Sequence, residues 1–215
     1  MYVPRSNAED RLEVLHDYIR GNPLATLVTV TASGMIASHL PLVLDPTAGP
    51  YGALQGHLAR ANPQHAATLL KPDALAIFSG PDAYITPSWY PAKAEHGKVV
   101  PTWNYVAVHA YGPIRFIDDL KFLRAHLESL VTRHESTRDH PWSVSDAPPE
   151  YIGQLERAII GFEIPIARIE GKWKMSQNRS AADIDGVVVG LNESHKADDR
   201  AVAAIVQRVR PQPAD

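Results

Sequence analysis

The chain contains no cysteine. Disulfides and thiolate metal ligation are therefore excluded, and the composition fits a reducing, cytoplasmic setting. No apolar run approaches the length that a membrane-crossing helix needs. The opening MYVPRSNAEDR lacks the apolar stretch of a secretory signal. Positive charge is not in surplus either: 21 Lys and Arg face 24 Asp and Glu, for a net charge of −3. No basic run is present, and no helix-turn-helix pattern is visible, so direct DNA binding lacks its usual electrostatic footprint. The catalytic motifs HExxH, GxSxG and GxxxxGK[ST] are missing, as is a GxGxxG opening a helix. With no cysteine and no serine in an elbow motif, covalent catalysis has no obvious nucleophile. Catalytic residues stay unassigned, no metal site is expected, and any chemistry would come from a bound cofactor.

Aromatic residues are scarce, and they are concentrated. Only four Trp occur in 215 residues, and two of them, Trp89 and Trp103, fall in residues 84–105, YITPSWYPAKAEHGKVVPTWNY. Loops are ordinarily made of small turn-forming residues. A segment rich in flat rings, stiffened by proline and carrying lysine suits a planar, partly anionic ligand or a rigid subunit interface. It could equally be a lid over apolar core.

Hydrophobic residues make up 45% of the chain and charged residues 21%, the balance of a globular protein able to bury a core. Ser6-Asn7-Ala8-Glu9 reads as a capping box opening a helix, with Leu12, Leu15, Tyr18 and Ile19 on one face. LATLVTV (24–30) and MIASHLPLVL (35–44) read as a hairpin, and YGALQGH (51–57) as a third strand. Asn62 and Pro63 suit the cap and first position of a short helix. ALAIFSG (74–80) reads as a strand buried on both faces, and NYVAVHAYGPIRFI (104–117) as one long strand. Asp118 or Asp119 should cap a helix whose apolar stripe is Leu120, Leu123, Leu127, Leu130 and Val131. Residues 136–149 read as a loop, 151–159 as a short helix and 160–175 as a single strand. Helices should close the chain at 180–190 and 197–209, with a frayed tail, PQPAD. Six or seven strands with few βαβ alternations predict an α+β fold built on an antiparallel barrel. Its strands should run near 24–57, 74–80, 104–117 and 160–173.

Three clusters could hold a ligand. Arg60 precedes the expected helix start at Asn62, where free N–H groups attract anions, and His57 is close by. The alternative there is a surface arginine beside a simple cap. Lys174, Gln177, Asn178 and Arg179, in KWKMSQNRS, combine cations with amides and could hold a phosphate or the polar rim of a heterocycle. A solvated turn is the alternative. His39 lies in an apolar strand, with Pro41 marking an edge or bulge where backbone is exposed. A satisfied core histidine is the ordinary reading of such a position.

The order of blocks MYVP, NPLATLVT, SHLPL, GHLARANPQ, YITPSWYP, VPTWNYVAVHAYG, KMSQNRS and GVVVGL closely resembles the PaiB-type family of FMN-binding negative transcriptional regulators. The resemblance runs from residue 1 to about residue 191, nearly the whole chain. It implies an FMN-binding split β-barrel, antiparallel and Greek-key-like with peripheral helices, over residues 1–191. Residues 192–215 would add a C-terminal helix and tail to the same domain. The related pyridoxamine phosphate oxidases and flavin reductases are dimers with flavin at the subunit interface, so a homodimer is expected. The resemblance implies cofactor contacts at His39, Leu40 and Pro41, then at His57, Arg60 and Asn62, with Arg60 leading as the phosphate holder. It further implies contacts at Trp89, Tyr90, Lys93, Thr102, Trp103 and Asn104, and at Lys174, Gln177, Asn178 and Arg179. Two regions depart from the pattern: Ser6 and Asn7 follow the MYxP opening where an aromatic is usual, and His65 replaces a large aromatic. The function implied is that of an FMN-binding, dimeric negative regulator of transcription. The alternatives are a flavin-dependent oxidoreductase, or a split barrel holding another planar cofactor such as haem.

Overall fold

The computed structural model describes residues 1–210; the expected fraying of PQPAD lies outside the described residues. The chain opens with a 3₁₀ turn at Arg5–Asn7 and a short strand, β1 (Ala8–Glu9). The capping box expected here does not form. Glu9 instead accepts from the Arg11 backbone N–H at 3.0 Å and from its guanidinium. Helix α1 therefore begins later, at Leu12–Gly21. The hairpin is as expected: β2 (Leu24–Thr31) and β3 (Gly34–Pro41) pair from Leu24↔Pro41 to Thr31↔Gly34. Its tight turn places Gly34 at φ 126°, open to glycine because it has no Cβ.

Strands β4 (Val43–Asp45) and β5 (Ala53–Ala59) follow, then the short helix α2 (Gln64–Ala67). Asn62 accepts the Gln64 N–H at 2.9 Å, and Pro63 has helical dihedrals, so the expected cap chemistry is present although the helix has four residues. Strand β6 (Ala74–Ile85) is longer than its apolar core suggested. Ala74, Ala76 and Phe78 are buried while Leu75 and Ile77 are only half-buried, so one face is covered rather than both. The aromatic segment then forms a 3₁₀ turn at Pro87–Trp89 and helix α3 (Ala92–His96).

Three runs read as single strands are each two. MIASHLPLVL leaves its first strand at Pro41 and continues as β4 in the other sheet. Gly112-Pro113 separates β7 (Thr102–Gly112) from β8 (Arg115–Ile117). Pro165, at the end of β9 (Ile159–Pro165), precedes β10 (Arg168–Lys174). Proline has no N–H to donate to a ladder, so each run ends there and resumes in the other sheet. Between β8 and β9 lie α4 (Leu120–Glu135), capped by Asp119 on Phe122 N at 2.8 Å, and α5 (Pro149–Arg157). The loop expected at 136–149 ends one residue earlier, where α5 begins, and includes a 3₁₀ turn at Val144–Asp146. Helices α6 (Ala181–Asn192) and α7 (Ala197–Val209) close the chain.

The chain divides into two compact units. Unit 1 comprises residues 1–15, 79–108 and 170–210 of the described chain; unit 2 comprises 16–78 and 109–169. In unit 1 the strand segments run β1-β10-β7-β6, with Ala8 opposite Lys172. Helices α6 and α7 belong to this unit, with Val187, Leu191, Val202 and Val206 buried. Trp89 sits against α6. A Cβ on Gly186 would fall 2.0 Å from the Trp89 carbonyl oxygen, and one on Gly190 would fall 2.3 Å from its indole. Only glycine admits that approach.

In unit 2, β6, β2 and β3 are neighbours, and β4-β5-β9-β8 form a four-stranded antiparallel sheet. Its core includes Leu42, Leu54, Phe162, Ile164 and Leu123. Arg124 of α4 holds the buried Glu156 of α5 through two bonds, of 3.0 and 2.9 Å. Among the described residues no helix is long and apolar enough to cross a membrane.

Candidate functional site

Unit 1 contains a cavity of about 280 Å³ lined by Pro4, Ser6, Asn7, Thr102, Asn104, Lys174, Ser176, Asn178 and Arg179. Strand alternation explains two of these, since Thr102 and Asn104 lie on one face at the start of β7. Lys174 ends β10. It donates to the Thr102 hydroxyl and, at 2.6 Å, to the Trp103 carbonyl. The turn after β10 supplies Ser176, Asn178 and Arg179. Ser176 is held at φ 63°, uncommon for a residue other than glycine. Its hydroxyl is bonded to the fully buried Asn104 amide at 3.0 Å. Gln177 braces the turn, accepting from Met175 N at 2.7 Å and donating to the Trp173 carbonyl at 2.5 Å.

Among the described residues no carboxylate lines this cavity. Burial, together with Lys172 and Arg179, holds the Lys174 pKa below the usual lysine range. Lys172 donates to the Tyr2 carbonyl at 3.1 Å and lies 5.2 Å from the Tyr105 ring. Arg179 stands 4.7 Å over the Tyr90 ring, a cation–π contact. Tyr90 is 2% exposed, and its hydroxyl lies beside Arg179 and Ser176. Burial raises its pKa, and the nearby Arg179 and Ser176 offset part of that effect.

The remaining aromatic-segment residues serve other contacts. Trp89 packs on α6 as described. Trp103 is exposed and meets Tyr84 edge to face at 5.8 Å. Lys93 donates to Ser88 at 3.0 Å on the surface.

Unit 2 gathers the other predicted contacts. His39 is exposed on β3, with Nδ1 3.0 Å from the Thr26 hydroxyl; Leu40 is buried, and Pro41 ends the strand. Asn62 donates to Ser38 at 3.0 Å, within a network that the fully buried Gln64 ties to Ser38 and Thr29. Arg60 is committed. Both terminal nitrogens meet Asp118, and Nε donates to the Arg157 carbonyl at 2.9 Å. The pair lowers the Asp118 pKa through its hydrogen bonds to Arg60.

His57 Nδ1 lies 3.1 Å from His126 Nε2. His126, on α4, is 2% exposed and stacks on Phe122; its Nδ1 has no hydrogen-bond partner among the described residues. Burial, with a smaller contribution from His57, pushes its pKa down to about 4. The two imidazoles therefore form a neutral pair.

Sequence reasoning missed His126, Asp118, Ser176 and the cavity-lining role of Pro4, Ser6 and Asn7. Ser176 carried a signal, as it lies inside KWKMSQNRS. Asp118 and His126 carried none, because their partners lie 58 and 69 residues away. Among the described residues no group of three or more His, Asp or Glu could hold a metal ion, and the sequence has no cysteine to add one.

Residues 1–168 match the family model described as "Putative FMN-binding domain". The chain belongs to that family. It is 37% identical over 242 aligned positions to an uncharacterized protein of Emericella nidulans, covering 96% of each chain. It is 31% identical over 207 positions to the protease synthase and sporulation protein PAI 2 of Bacillus subtilis, covering 96% of this chain and 97% of that one. Among solved structures, a FAD and heme binding protein of Mycobacterium smegmatis matches with a TM-score of 0.55 at 15% identity, over 83% of this chain and 79% of that one. At that identity the likeness is one of fold. The fold class is α+β with antiparallel sheets, the flavin-binding split barrel that the sequence predicts.

Proposed function

We propose that this family member binds FMN, acts as a homodimer in the cytoplasm and, like the PaiB-type proteins it resembles, takes part in negative regulation of transcription. The observation that carries the FMN reading is the cavity of unit 1. It gathers Thr102, Asn104, Lys174, Asn178 and Arg179, five residues singled out as cofactor contacts, around a space that no carboxylate of the described residues lines. Its donors suit FMN, which offers a phosphate and a ring edge rich in acceptors. Its volume of about 280 Å³ is near the lower end of small-molecule sites, so it would hold part of the flavin rather than all of it. The remaining proposed contacts are Trp89, Tyr90, Lys93, Trp103, Gln177 and, in unit 2, His39, Leu40, Pro41, His57, Arg60 and Asn62.

When bound, FMN would supply redox chemistry through its ring system. The chain's own residues would bind and orient it. Lys174 and Arg179 donate charged N–H groups, Thr102 and Asn104 place their side chains from one strand face, and Gln177 keeps the turn in shape.

The visible spectrum of freshly purified protein, followed by titration with FMN and FAD, tests the reading. Flavin absorption with FMN bound more tightly than FAD is expected. Failure of either flavin to bind, or haem bands in place of flavin absorption, would overturn it. Sedimentation tests the dimer: a species of only 23.6 kDa at micromolar concentration would count against it. An electrophoretic shift with salt titration tests direct DNA contact, since phosphate-driven binding weakens steeply with salt.

A further inference from the structure

We infer that Lys174 is a nucleophilic amine, and that the cavity of unit 1 admits small anionic carbonyl compounds, of the 2-oxo acid or acidic aldehyde class, which it joins to this lysine as an imine. The inference goes beyond the FMN reading and rests on the cavity and its lysines alone.

The first observation is where lysine is placed. Of the seven lysines, Lys71, Lys93, Lys98, Lys121 and Lys196 are exposed. Lys172 is 8% exposed and Lys174 is half-buried, and they lie two residues apart on β10. Both therefore face one side of the sheet. Their Nζ atoms share the Tyr105 ring, at 5.2 and 5.9 Å from its centroid. Among the described residues neither is paired with a carboxylate; Lys172 donates to the Tyr2 carbonyl instead. Arg179 adds a third positive group at the cavity wall. A lysine beside other cations and withdrawn from water gives up its proton more easily than an exposed one.

The second observation is how Lys174 is held. Its Nζ donates to the Thr102 hydroxyl and the Trp103 carbonyl, both neutral acceptors. An ammonium has three N–H bonds and an amine has two, so loss of one proton leaves both of these bonds in place. The lone pair takes the remaining tetrahedral direction. Burial, together with Lys172 and Arg179, lowers the pKa in the same sense.

The third observation is the lining. Arg179 can hold an acidic group through charged N–H donors, and Ser176 and Asn178 can donate to a carbonyl oxygen. The volume of about 280 Å³ suits a small molecule. In the reaction the amine lone pair forms a C–N bond to the carbonyl carbon, and the π pair passes to oxygen, which takes a proton from nitrogen. The C–O bond of this carbinolamine then breaks, and water leaves with the second nitrogen proton. The product is the C=N bond, and no oxidant or reductant is consumed.

The test uses the full-length protein stripped of bound flavin, with glyoxylate as probe. Cyanoborohydride fixes the imine, and peptide mass mapping locates it. Near neutral pH, Lys174 should be labelled at least about 10-fold faster than the exposed lysines. Lys174→Arg, which keeps the charge, should remove that adduct. Lys172→Gln keeps a donor for the Tyr2 carbonyl. It should slow labelling of Lys174 by about two- to tenfold and move its pH profile upward, which lost packing alone would not do. Arg179→Gln should cut the preference for glyoxylate over neutral glycolaldehyde by about 10-fold, each rate being taken relative to the exposed lysines. The inference is overturned if Lys174 reacts no faster than the exposed lysines, or if glyoxylate has no advantage over glycolaldehyde there. FMN added first should block the label. Labelling that saturating FMN leaves unchanged supports the amine and counts against Lys174 as a flavin contact. Tight FMN binding by a protein whose Lys174 stays unlabelled without flavin overturns the inference and leaves the FMN reading standing.

Discussion

Arg60 in unit 2 and Arg179 in unit 1 stand in opposite surroundings. Arg60 is met by Asp118 on both terminal nitrogens and by a backbone carbonyl on the third. Arg179 is met by an aromatic face, with Lys174 and Lys172 adding to the positive field. The contrast extends to the other basic groups. Unit 2 sets a half-buried imidazole, His57, against a buried one, His126, and burial lowers the pKa of both, whereas unit 1 places Lys174 and Arg179 at the wall of a cavity. A cation's position in the sequence thus says little about anion binding until its partner is known. A satisfied arginine must give up a bond to accept a ligand, and an unsatisfied one gains a bond by doing so.

The sharpest way to break this contrast is to compare substitutions on the two sides. Lys174→Ala should raise the FMN dissociation constant by roughly 10- to 150-fold, the effect of one charge-assisted bond. Arg60→Ala should change it by about threefold or less, since an exposed, already paired cation contributes little. Flavin fluorescence quenching reads both, and the reverse order would restore Arg60 as the leading phosphate holder.

The buried imidazole of His126 gives a second effect of similar size, read in stability. The folded His126 pKa is about 4, against an ordinary value near 6.5. A histidine whose folded pKa is depressed favours folding above its unfolded pKa, and that contribution is lost as pH falls towards the folded value. Between pH 7.5 and 4.5 this group alone should remove about 2–3 kcal/mol. Urea melts at the two pH values should show a drop that shrinks clearly in His126→Phe. An equal drop in that variant would place the acid sensitivity elsewhere.

Asp118→Asn should be milder. It removes the charge that neutralises Arg60, and FMN affinity should stay within about twofold of the parent. A tenfold tightening would reveal an anion holder masked by its own carboxylate. The smallest effect expected is in pH dependence of FMN affinity near neutrality. The Lys174 pKa is depressed in the free protein, and an anion would raise it. Affinity should therefore be flat while Lys174 is protonated and fall as pH rises through its free-state pKa. A titration series towards alkaline pH, compared with Lys174→Arg, isolates this group.

Much of the fold was legible because alternation and turn chemistry are local. The β2–β3 hairpin and the Asp119 cap follow from neighbours a few residues apart. The errors share a cause. Gly112-Pro113 and Pro165 end one ladder, but only the tertiary structure shows that the chain then joins the other sheet. The Ser6–Glu9 signature met its competitor in Arg11, whose N–H Glu9 accepts instead. In the site, the cations and amides of KWKMSQNRS were legible as chemistry. What surrounded them was not, since Thr102 and Asn104 arrive from a distant strand. His126 looked like one polar position in a helical stripe, and its burial against His57 depends on how α4 lies on β5.

The seat of Trp89 on α6 ties three positions together through evolutionary time. Gly186 and Gly190 each leave no room for even a methyl group beneath Trp89. Bulk added at either glycine would have to be matched by bulk removed at position 89 or by a shift of the 3₁₀ turn that carries it. Tyr90 follows immediately in the chain, so such a shift would move the ring on which Arg179 rests. Substitutions on the outer face of α6 can accumulate one at a time, but these three positions can drift only as a set.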